Sequence, residues 1–342
     1  MPTLRILALL AVTALSASAA EVKYQLVPNF LGTPPGKATI GNSHGEIAVD
    51  SAGLIYVSVQ EKDAGIQVYG KDGKYLKTLP LPMSLHGFVI RKSAEGEFLY
   101  GAVLGEQRFL KAKLDGTIVM EIKPDAFPAD KGVAKDKKGK AVNALKLTSC
   151  DVAPNGDIYV ADGYGSQFIL RFDKDGKYLS KFGGKSTQPT NPGKFMQAHG
   201  VAIDTRGPEP LLVCTERVRN EFNWFTLEGK HVRGVYLPGA YVSRPVIAGK
   251  HLYSGVCFGA KPDDYRMWQG RGFVTILDEN NRVVSNPGGQ EPKYVDGRLQ
   301  AMLQDQPVFN NCHDVCVDAR GDLYVCQWAS GSVYPYKLHR LA

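Results

Sequence analysis

SCDVAPNGDIYVADGYGSQFILRFDKDGKYLSKFGG, from Ser149 to Gly184, decides the reading of the chain. It divides into an apolar strand, a turn at Pro154-Asn155-Gly156, the strand IYVA, a polar loop, the strand FILRF, the turn DKDG and the strand KYLSKF. Short runs rich in β-branched and aromatic residues, separated by Asn-Gly and Asp-Gly turns, are hairpin-linked antiparallel strands. The same phrase returns as HGEIAVDSAGLIYVSVQEKDAGIQVYGKDGKYLKTL from His44 and HGFVIRKSAEGEFLYGAVLGEQRFLKAKLDGTIVMEI from His86. It returns again as HGVAIDTRGPEPLLVCTERVRNEFNWFTLEGKHVRGV from His199, as a worn copy near Arg244, and as HDVCVDARGDLYVCQWASGSVYPYKLHRL from His313.

Six four-stranded units beginning at 44, 86, 150, 199, 244 and 313 predict an all-β, six-bladed β-propeller. Two intervals are long and hold insertions, a lysine-rich one near 123–146 and a second at 259–311. Unit six runs out of chain near its fourth strand, so KYQLVPNF, Lys23 to Phe30, is expected to supply an outer strand and close the ring. No segment keeps a helical period over three turns. The units resemble NHL repeats, whose wording is close to VAVD-x-x-G-x-IYVAD, over about Ser43 to Leu341. That resemblance implies a propeller from 21 to 342 and leaves function to the site it carries.

Composition narrows the classes. Arg5, the apolar run Ile6 to Leu15 and the small residues Ala17-Ser18-Ala19 read as a signal peptide over 1–20, placing the mature chain outside the cell or in a periplasm. The run is shorter than the ~20 apolar residues of a membrane span, and none later approaches that length, so no membrane span is expected. The formal charge of +7 owes much to KGVAKDKKGK, Lys131 to Lys140. Without interleaved aromatics this reads as a solvated loop, and nucleic acid is not an expected partner. Six cysteines in a chain of this length do not make a disulfide scaffold.

In a propeller the residues just before each unit's first strand, and just after its second, converge on one face. The first position reads His44, His86, Cys150, His199, Arg244 and His313. Three neutral imidazoles with an open position form a catalytic zinc arrangement. His-Gly can also simply suit the turn into a strand. After the second strands stand Tyr164 in unit three and Arg217 in unit four. A phenol beside a dication can act as a base, and a guanidinium can grip a carboxylate; either can also be an ordinary loop residue.

Units two, three, four and six resemble the peptidyl-α-hydroxyglycine α-amidating lyase domain of peptidylglycine α-amidating enzymes. The carrying stretches are SLHGFVIR at His86, ADGYGSQFILRFDKDGKY at Tyr164, PGKFMQAHGVAI at His199, TERVRNEFNWF at Arg217 and NNCHDVCVD at His313. The resemblance implies zinc held by His86, His199 and His313 from blades two, four and six, with ligand nitrogens within about 4 Å of one another. It implies Tyr164 as base and Arg217 as carboxylate grip. It further implies calcium on Asp314 and on the carbonyls of Ile47 and Phe88. Three departures stand out: Val59 and Gln60 lie where that family has an arginine, Asn311 replaces a methionine, and the family's disulfide cysteines have no match.

Two readings follow. One is an exported zinc lyase that cleaves the C–N bond of a small α-hydroxyglycine-type or peptide substrate. The other is a non-enzymatic propeller whose loop face binds a peptide, glycan or protein partner, the metal being structural. A propeller lactonase is a third, with carboxylate and amide ligands instead of imidazoles. A monomer is expected, with Tyr265, Arg266, Trp268, Arg271 and Arg298 of the second insertion available to cover a pocket or dock a partner.

Overall fold

The computed structural model describes residues 22–42, 46–61, 65–128, 133–135, 141–143, 145–188, 190–331 and 335–341. The signal segment at 1–20, His44 and much of the lysine-rich stretch lie outside them. Six antiparallel sheets follow one another around a ring, as the repeats require. Blade one is Ile47–Val49, Ile55–Ser58, Ile66–Tyr69 and Tyr75–Leu79; blade two is Leu85–Ser93, Gly96–Val103, Arg108–Lys113 and Ile118–Ile122. Blade three is Ser149–Val152, Ile158–Ala161, Phe168–Phe172 and Tyr178–Gly183; blade four is Ala198–Asp204, Leu211–Glu216, Glu221–Phe225 and His231–Tyr236.

Blade five departs from the pattern. Its innermost strand is broken into Ala240–Val242 and Val246–Ala248, both paired with the long strand His251–Lys261. The insertion begins as a hairpin arm, Asp264–Trp268, folded back on the end of that strand. Gly272 N–H bonds the Asn310 carbonyl, and the Gln304 amide bonds the carbonyls of Gly272 and Phe309. The insertion therefore packs on the blade-five rim. Among the described residues the helical content is one short turn, Pro124–Ala126, and no helix is long and apolar enough to cross a membrane.

Each blade buries both faces against its neighbours, which explains why inner strands such as IYVS and IYVA are buried at every position. Six apolar clusters result, one per seam. Phe109, Phe127 and Phe172 pack between blades two and three, Trp224, Phe222 and Phe273 between four and five, and Tyr69, Tyr324 and Ile47 between six and one. The fourth strands, exposed on alternate residues, form the rim.

Ring closure follows the expectation. Tyr24–Val27 pairs antiparallel with Tyr336–Arg340, so the blade-six sheet joins both ends of the chain. Asp322, buried just before the second strand of that blade, Leu323–Gln327, accepts from His339 Nδ1 at 2.8 Å and the Arg340 amide at 3.0 Å, and meets Lys337 Nζ at 3.0 Å. Burial alone would raise its pKa, but those donors outweigh it and hold the carboxyl below the usual aspartate range. A depressed folded-state pKa gives stability that is complete above the ordinary value of ~3.9 and lost as pH falls through the folded one. Asp322→Asn is expected to cost about 2 kcal/mol at neutral pH and to flatten that acid limb. Urea unfolding at pH 7 and at pH 3 checks both.

Candidate metal centre

The three blades that carry the histidines share a local device. Strand register slips between Leu85 and Gly87 in blade two, between Ala198 and Val201 in blade four, and between Cys312 and Asp314 in blade six. His86, His199 and His313 each sit on that irregularity. A bulge at a strand end re-aims a side chain, here toward the channel axis. The glycine after two of the histidines has a packing cause. A Cβ on Gly87 would lie 2.4 Å from the Thr148 carbonyl oxygen, and one on Gly200 would lie 2.6 Å from the Arg244 Cα. Adjacent blades approach too closely there for any side chain.

The imidazoles meet. Ring centroids are 5.3 Å apart for His86 and His199, 5.2 Å for His86 and His313, and 4.9 Å for His199 and His313. Potential ligand atoms of all three lie within 4.8 Å of one another, and the residues are at most 2 % exposed. The spacing is wider than the expected ~4 Å between ligands of one zinc ion. His86 Nδ1 stands 2.7 Å from the Thr148 carbonyl oxygen, to which a neutral ring can donate, leaving Nε2 on the axial side. Three buried imidazoles on three different blades, with an outer hydrogen bond of this kind, suit a borderline-soft divalent ion such as zinc.

Tyr164 completes the cup. Its hydroxyl is 3.0 Å from His199 Nε2, and its ring stands edge-on to His86 with centroids 5.2 Å apart. Burial pushes the phenol pKa up, while the Arg217 guanidinium beside it pulls the other way. Arg217 is itself buried, donating from Nε to the Val242 carbonyl at 3.2 Å and from Nη2 to Ser243 Oγ at 2.9 Å. It is thus fixed in the seam between blades four and five, next to Tyr164. Phe258 lies under it at 5.7 Å and against Trp328 at 5.8 Å, forming an aromatic wall. Asn311, at the methionine position, ties Gly270 N–H and the Trp328 carbonyl together.

Asp314, Ile47 and Phe88 are placed differently from the calcium expectation. Asp314 takes Arg244 in a fork, Nε to Oδ1 at 3.1 Å and Nη2 to Oδ2 at 2.8 Å, and accepts the Ile47 amide at 3.0 Å. Arg244 Nη2 also lies 3.4 Å from the Ile47 carbonyl oxygen. Phe88 is paired within its strand opposite Gly101. A guanidinium already occupies the Asp314 carboxylate and lies at the Ile47 carbonyl, two of the three donors assigned to a hard cation, so this donor set does not fit calcium.

Two of the other ring positions also move. Ile47 pairs with Val57, Cys150 with Val160, Val201 with Cys214 and Val315 with Val325. In this frame Cys150 is two positions beyond the histidines, and its thiol donates to the Tyr100 carbonyl at 3.3 Å inside the seam of blades two and three. All six cysteines are free and buried. Glu46 is the site residue that sequence reasoning missed, and Arg244 was read as a ring position without a role. Pairing the Val-Asp of HGEIAVD with that of HDVCVD would have set Glu46 over Asp314.

No family model matches the chain, and no curated protein matches it either. Solved structures do. Virginiamycin B lyase from Staphylococcus aureus aligns at 15% identity over 94% of this chain and 100% of its own, with a TM-score of 0.56. A streptogramin B lyase aligns at 13% identity over 95% and 100%, with a TM-score of 0.56. A gluconolactonase from Xanthomonas campestris aligns at 13% identity over 89% and 88%, with a TM-score of 0.57. At these identities the likeness is one of fold, and the sheets of this chain make it a six-bladed β-propeller.

Proposed function

We propose that the protein is an exported, metal-dependent lyase that cleaves the C–N bond of a small α-hydroxyglycine-type substrate at the axial cup. The observation that carries the reading is the Tyr164 hydroxyl, 3.0 Å from His199 Nε2, on the cup formed with His86 and His313. A zinc ion held by these three residues would polarise the substrate hydroxyl and lower its pKa. Tyr164 would take that proton as a phenolate, a form that the ion and the Arg217 guanidinium would stabilise against burial. The hydroxyl oxygen then forms a carbonyl, the C–N bond breaks with its electron pair going to nitrogen, and nitrogen takes up a proton. The products are an amide and an oxoacid. Arg217, spent in part on Val242 and Ser243, acts chiefly as the fixed cation beside Tyr164 and offers the same charge to a substrate carboxylate.

A second reading, a non-enzymatic propeller that binds a peptide, glycan or protein partner, is favoured by blade one. Val59 there is buried, and the Gln60 backbone N–H is bonded to the Asn42 carbonyl, so neither of these two positions supplies a cation to the face. One experiment separates them: turnover of α-hydroxyglycine amides by metal-loaded protein, with and without a chelator. Chelator-sensitive release of an oxoacid supports the lyase. Loaded protein that turns over none of these amides supports the binding module.

A further inference from the structure

We infer that Glu46, Arg244 and Asp314 form a fixed layer beneath the histidine cup that orients the His313 imidazole and makes the channel a one-metal site. The inference rests on the three histidines being a metal cup. All three side chains of the layer are at most 4 % exposed. Glu46 Oε1 lies 3.5 Å from His313 Nδ1 and 4.0 Å from His86 Nδ1, on the side of each ring away from Nε2. Its other oxygen lies 3.6 Å from Arg244 Nε. Arg244 is in turn forked on Asp314, which is anchored by the Ile47 amide. One carboxylate therefore stands beside the His313 imidazole of blade six and behind that of His86, whose Nδ1 is held by the Thr148 carbonyl, with an arginine from blade five at ion-pair distance on its other side.

The chemistry of each member fits the role. A carboxylate on the Nδ1 side fixes the tautomer that presents Nε2 to a metal and raises the basicity of that nitrogen. A guanidinium keeps its charge at any ordinary pH and offers a planar fork to two acceptors, so it fills an oxygen cage permanently. Oxygens engaged in this way are closed to a second, hard ion, which needs six to eight oxygen ligands. Glu46 is a positioning residue: it lies beside His313 Nδ1, on the ring's far side from Nε2, and not against the reacting atoms.

The test uses Co²⁺ as a spectroscopic probe on the full-length mature protein. Wild type is expected to bind one Co²⁺ per chain, with visible absorption of a low-coordinate nitrogen site, and to bind no Ca²⁺ at the channel in addition. Glu46→Gln, which preserves volume, is expected to weaken Co²⁺ binding by about 10–100-fold and to shift the visible bands, with the thermal midpoint of metal-free protein little changed. Unaltered affinity and bands in Glu46→Gln would overturn the orienting role while leaving the cup intact. Stoichiometric Ca²⁺ uptake that Asp314→Asn abolishes would overturn the one-metal assignment of Arg244. A wild type that takes up no Co²⁺ would overturn the cup and the inference together.

Discussion

His199→Ala is expected to reduce metal bound per purified chain from about one to near zero, with the β-sheet content unchanged. The apparent binding energy of structural zinc sites, spread over four ligands, gives roughly 3–4 kcal/mol per ligand, or about 10²–10³ in affinity. Three imidazoles minus one leaves a pair on blades two and six, too few for a retained ion. The fold does not depend on it. Six separate seams hold the blades, and the blade-four strand that carries His199 contributes Val201 and Ile203 to one of them independently of the ring. Elemental analysis and circular dichroism on the same preparation check both halves. Full zinc occupancy in the variant would place the metal elsewhere. A comparable loss should follow from His86→Ala and His313→Ala, whereas Cys150→Ser should keep the metal, because that thiol faces the Tyr100 carbonyl in the seam of blades two and three.

The architecture was legible in the chain because a propeller writes each blade in nearly the same words. The strands IYVA and FILRF, the Asp-Gly turns and the spare KYQLVPNF segment all act locally, and the closing pair Tyr24 with Arg340 follows from a missing fourth strand. The histidine alternation was legible for the same reason, since position within a repeat becomes position on the ring. What the chain concealed was phase. The register slips at Leu85/Gly87, Ala198/Val201 and Cys312/Asp314 occur in the histidine blades and a further one at Tyr241/Val242 in blade five, whereas Ile47–Val49 and Ser149–Val152 run without one. Aligning His-Gly with His-Gly therefore set blade one a residue out of step and hid Glu46. The Arg244–Asp314 pair joins residues 70 apart in the chain across two blades, so no repeat could show that a guanidinium stands where calcium was expected. Arg217 illustrates the same limit: its type and position were readable, but its bonds to Val242 and Ser243 belong to the blade-five break, which no repeat describes.

Tyr164→Phe is expected to lower kcat on an α-hydroxyglycine amide by about 10²–10⁴-fold, the usual contribution of a positioned proton acceptor. KM and bound metal should stay near wild type. The substitution removes one oxygen and keeps the ring, so the edge-on packing against His86 at 5.2 Å survives and the cup is not disturbed. Metal retention then separates a lost base from a damaged site, a distinction that His199→Ala cannot make. Arg217→Ala should behave differently. It withdraws the cation that opposes the burial of the phenol, so kcat falls, and it removes charge from the substrate side, so KM rises. A Tyr164→Phe enzyme with full turnover would assign proton removal to another group. Metal-loaded wild type that is as inactive as both variants across this class of amides would instead turn the cup into a structural pin, and the Phe258–Trp328 wall beside Arg217 into the first surface to probe for a bound partner.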